Sequence, residues 1–67
     1  MTANQRTPYT TEQKREAVAR ELAFRVRSYE RRVTEGSMSR RQAEEGISLM
    51  RAILADYETQ VANERTS

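Results

Sequence analysis

Val33-Thr34-Glu35-Gly36-Ser37-Met38-Ser39-Arg40-Arg41-Gln42-Ala43 is the stretch that decides the fold. Gly36 stands where a helix end needs a left-handed residue, a conformation glycine takes without a Cβ penalty. Three residues on, Ser39 has the chemistry of a helix N-cap, and Gln42 is placed to close a capping box with it. Met38, just before the cap, can staple onto Ala43. One helix therefore ends before Gly36 and another begins at Arg40. A connection of about 3–5 residues makes the two antiparallel neighbours.

Working back from Gly36, nothing interrupts a helix, because there is no Gly or Pro between residues 11 and 35. Thr10 with Gln13 repeats the capping-box pattern and sets the start. Working forward, Ala43, Ile47, Met50, Leu54, Tyr57 and Val61 recur at spacings of 4, 3, 4, 3 and 4. That is the period of one helical face. The expected organisation is a flexible tail over 1–9, a hairpin over 10–62 with helices over 11–34 and 40–62, and a frayed end over 63–67. Tyr9 is expected to fold back onto Tyr57 and Val61.

At about 100° per residue, Val18, Leu22, Val26, Tyr29 and Val33 gather within about 80° on the first helix. Ala43 should face Tyr29 and Val33, Ile47 and Met50 should face Val26 and Leu22, and Tyr57 should reach Val18. The second helix carries more apolar surface than this narrow seam can cover, since Gly46, Leu49 and Ile53 run beside its main stripe. A glycine inside a helix costs about 1 kcal/mol relative to alanine, so Gly46 is read as permitting close helix approach. Exposing Leu49 and Ile53 in one line is a liability. Gly46, Leu49 and Ile53 are therefore expected to form an oligomer interface. The predicted fold class is all-α: a two-helix antiparallel hairpin that dimerises into a four-helix bundle.

The composition agrees with a hairpin that associates. With 67 residues, there is at most one domain, and such small domains often gain stability by oligomerising. The absence of Cys and His excludes disulfide staples and a Cys/His zinc site. It also removes the commonest general base and the thiol nucleophile. Glu45 and Asp56 share a face but stand about 16 Å apart along the helix, too far to share a proton or a metal. There is no phosphate-binding glycine loop and no calcium loop. No enzyme activity and no cofactor is expected. No apolar run approaches the roughly 20 residues of a membrane span, and the polar N-terminus has no signal-peptide core, so no membrane association and a cytoplasmic location are expected.

Charge is unevenly spread. The chain as a whole carries +2, but residues 14–32 hold seven Lys/Arg against three Glu, while residues 40–67 hold four Arg against five acids. Opposite the seam of the first helix, Arg20, Phe24, Arg27 and Arg31 fall within about 60° of one another. Aromatic and guanidinium groups are the side chains that anchor protein interfaces, and they also contact bases and phosphates. This row is the expected partner-binding site, the competing readings being that Phe24 packs into a homo-oligomer with the arginine stems covering apolar surface, or that it is simply exposed. A protein partner is favoured, because three glutamates dilute the basic field. The alternatives are a nucleic-acid-binding accessory protein or a structural subunit of a larger helical assembly.

Glu21-Leu22, Arg25, Arg27, Tyr29, Arg32-Val33, Gly36-Ser37-Met38-Ser39, Ala43, Ile47, Met50, Ile53 and Asp56-Tyr57 resemble the pattern of small helical proteins of bacterial phages and prophages. The resemblance covers roughly residues 21 to 58. The chain departs from the pattern at Ser28-Tyr29-Glu30, where that group often has Val-Tyr-Pro. The resemblance implies a hairpin, phage-type provenance and a place in a host cytoplasm, in an accessory or inhibitor role, and no agreed activity.

Overall fold

A computed structural model of the chain describes residues 8–66, and among these the regular structure is two α-helices. Helix α1 spans Thr11–Glu35 and helix α2 spans Arg40–Thr66. They lie against each other as an antiparallel hairpin, which establishes the all-α fold.

Both helix starts are capped as the sequence dictates. The Thr10 hydroxyl accepts from Gln13 N–H at 3.0 Å, and Thr10 N–H donates to Gln13 Oε1 at 2.8 Å. At the second start, Gln42 N–H donates to Ser39 Oγ and Ser39 N–H donates to Gln42 Oε1, each at 3.1 Å. These reciprocal bonds satisfy backbone donors that have no partner inside the helix.

Helix α1 ends in a Schellman motif. Gly36 has φ 85° and ψ 6°, its N–H donates to Val33 C=O at 3.1 Å, and Ser37 N–H donates to Arg32 C=O at 2.9 Å. The paired bonds close the last carbonyls and turn the chain back sharply. Arg32 in the last turn of α1 adds a cation where the helix dipole is negative.

Two contacts define the register. Gly46 lies under the ring of Tyr29 near the turn, and Thr11 Oγ1 donates to Glu64 Oε2 at 2.8 Å at the open end. Between them, Val26, Tyr29, Val33, Ala43 and Ile47 line one shallow groove, which brings together the expected partners nearest the turn, Ala43 with Tyr29 and Val33, and Ile47 with Val26. The open end holds a second link, with Arg65 3.4 Å from Glu12.

Helix α2 continues to Thr66, four residues beyond the expected end at Ala62. Asn63, Glu64, Arg65 and Thr66 carry no apolar period, so the pattern could not extend the helix over them. Glu64 and Arg65 meet Thr11 and Glu12 at the start of α1, and the Thr66 hydroxyl donates back to the Ala62 and Asn63 carbonyls. Of the expected tail, residues 1–7 lie outside the described residues, as does Ser67 of the expected frayed end. Tyr9 stands 64% exposed and borders a depression with Gln13, Ala17 and Arg20 on the outer side of α1. This replaces the expectation that Tyr9 covers Tyr57 and Val61. Thr10 as cap commits the chain to enter the helix from that outer side.

The core is thin. Among the described residues only Ala43 and Val61 are buried, and no side chain is fully enclosed. Helix α1 has no buried residue at all. The two buried positions sit at opposite ends of the hairpin, about 27 Å apart along α2. In between, Leu22, Val26, Met50, Ile53 and Leu54 are only half-buried. Among the described residues no helix is long and apolar enough to cross a membrane.

Candidate interaction surfaces

Arg20, Phe24, Arg27 and Arg31 all lie exposed on α1. They follow one another at spacings of 4, 3 and 4, so they form one row about 16 Å long on the side turned away from α2. Phe24 is 57% exposed. The structure thus places the four expected residues together. It also adds a group that periodicity could not reach, because Tyr9 precedes the helix. The depression bordered by Tyr9, Lys14, Glu16, Ala17 and Arg20 has a volume of about 420 Å³ and opens onto the Arg20 end of the row. Apolar Ala17 and the two aromatic rings are therefore interleaved with guanidinium groups along one flank.

Not every arginine of α1 belongs to this row. Arg25 bonds Glu21 at 3.0 Å and Arg15 approaches Glu12 at 3.5 Å. Both side chains are more covered than those of the row, at 30% and 26% exposure. Their stems pack toward α2 while the heads meet carboxylates one helical turn away.

The three residues expected at an oligomer interface divide. Leu49 is 62% exposed, and Ile53, one turn on, is half-buried on the same flank. Gly46 has a role inside the hairpin. A Cβ at this position would lie 2.9 Å from Tyr29 Cε2, closer than such atoms approach. Gly46 does permit a close helix approach, but the approaching group is the Tyr29 ring of the chain's own α1.

The described residues include no buried polar or charged side chain, and no group of three or more His, Cys, Asp or Glu that could hold a metal ion. What the surface offers chemically is apolar area and arginine donors. No protein-family model, curated protein or solved structure matches the chain.

Proposed function

We propose that this chain is a non-enzymatic protein-interaction module that presents the outer flank of α1 to an acidic, apolar-pocketed surface of another protein and uses a flank of α2 for self-association. The observation that carries this reading is Phe24, a large aromatic side chain left 57% exposed among Arg20, Arg27 and Arg31. Aromatic and arginine side chains dominate binding energy when a partner desolvates them. The resemblance to phage and prophage helical proteins supports an accessory or inhibitor role, acting in a host cytoplasm on a host protein or complex.

The test is a comparison of variants in one binding series. Immobilised hairpin should retain a specific protein from bacterial extract. Phe24→Ala should weaken that binding by about 2 kcal/mol, roughly 30-fold, as loss of an interface anchor does. Duplex DNA in the same series addresses the other reading. A grip through three arginines would give a log K against log salt slope of about −2 to −3, and changing the three to Glu would abolish it. Tight, salt-steep duplex binding that tolerates Phe24→Ala would replace the protein-partner reading with a nucleic-acid one.

A further inference from the structure

Helix α2 carries a second row beside the stripe that packs on α1; the Tyr29 ring covers this row at Gly46, while Gln42, Leu49, Asp56 and Gln60 stay exposed and Ile53 is half-buried. Gln42, Gly46, Leu49, Ile53, Asp56 and Gln60 follow one another at spacings of 4, 3, 4, 3 and 4. At about 100° per residue they form a row turned roughly 60–140° from the stripe that packs on α1. The spacings of this row are the same from both ends, and both of its ends are Gln. About a midpoint level with Arg51, Leu49 and Ile53 are equidistant, and so are Gln42 and Gln60. A two-fold axis at this level sets each residue of the row against the residue at the mirrored position of the copy, so the row meets itself in register.

We infer that a second copy of this chain seats antiparallel on this seam, with Leu49 of each hairpin against Ile53 of the other, Gln42 against Gln60, and Asp56 opposite Gly46. The inference rests on the self-association part of the proposed function and gives it an orientation and a register. Three observations carry it besides the pattern. The hairpin buries Ala43 and Val61 near its two ends, while midway between them Leu49 is 62% exposed and Leu22, Met50, Ile53 and Leu54 are only half-buried. Charge selects the orientation, since parallel pairing would set Asp56 against Asp56, whereas the antiparallel register sets it level with uncharged Gly46 and the Tyr29 ring that covers it. Area suffices as well. The face that the two helices present together, each about 10 Å across and the longer about 40 Å long, is about 800 Å², so α1 beside the α2 row completes what each partner buries in an interface of standard size. The product is a four-helix bundle.

The chain has no cysteine, so introduced thiols report the geometry without interference. Sedimentation equilibrium should give the wild type twice the 7.8 kDa chain mass. Leu49→Glu should give the single-chain mass with helical circular dichroism retained, because Leu49 is exposed in the hairpin itself. In a glutathione redox buffer, Gln42→Cys mixed with Gln60→Cys should give the mixed disulfide, and neither variant alone should cross-link, because like positions lie about 27 Å apart in this register. A monomeric wild type at high micromolar concentration overturns the inference. So does a dimer that survives Leu49→Glu, a self-linked disulfide of either cysteine variant, or a folded dimer that forms no mixed disulfide. Phe24→Ala should leave the mass unchanged. Loss of foreign-protein binding in that variant therefore reports on the α1 flank, separately from the α2 seam.

Discussion

The two glycines of this chain perform opposite tasks. Gly36 has φ 85° and no atom within 4 Å of a would-be Cβ, so its value is conformational. Gly46 has ordinary helical backbone, and its value is the space taken by the Tyr29 ring. Replacing Gly46 with Ala would gain about 1 kcal/mol of helix propensity but would bring a Cβ to 2.9 Å from the Tyr29 ring, which must then shift, an overpacking cost of about 1–3 kcal/mol. Gly46→Ala should therefore destabilise the hairpin by about 1 kcal/mol in urea unfolding. In a Tyr29→Ala background the same change should stabilise it by about 1 kcal/mol, a coupling that a double-mutant cycle isolates. Equal effects in both backgrounds would mean that the ring does not rest on Gly46. Gly36 was readable because turn chemistry is local. Gly46 was readable only in kind: its position beside the seam calls for a close approach, but the sequence does not say whether the chain's own helix or another copy makes it.

At the scale of the element, the caps set where each helix starts and the Schellman turn sets where α1 stops. The end of α2 was not legible, since Asn63 to Thr66 are polar on every side, and Glu64 and Arg65 meet residues more than fifty positions away in sequence. These contacts are exposed, and exposed ion pairs contribute between about 0 and 1 kcal/mol. Burial at the same end counts for more. Val61 is 8% exposed, and Val61→Ala should cost about 2 kcal/mol through lost transfer energy and the space left behind. Arg65→Ala should cost well under about 1 kcal/mol. Urea unfolding of the two variants compares them directly, and an Arg65→Ala effect as large as that of Val61→Ala would make the polar clasp, and not the apolar contact, the anchor of the open end. The arginine row of α1 was legible because period alone places it. Tyr9 was not, because the path of a segment before a helix depends on the direction imposed by the cap.

At the scale of the molecule, the hairpin leaves the large apolar side chains of Phe24 and Leu49 mostly in solvent. Two short helices offer each residue one neighbour element, so a stripe wider than the contact line stays wet. Among the described residues only Ala43 and Val61 are buried, and a chain with so little core has small stability of its own. If association supplies the rest, stability must depend on protein concentration, because anything that binds the native state alone shifts unfolding by mass action. The most direct measurement is the thermal midpoint, followed by circular dichroism from about 1 to 100 µM for the wild type and for Leu49→Glu. The account predicts a midpoint that climbs steadily with concentration in the wild type and stays level and lower in Leu49→Glu. A wild-type midpoint that is high and independent of concentration would contradict it, since the hairpin would then be stable without a partner.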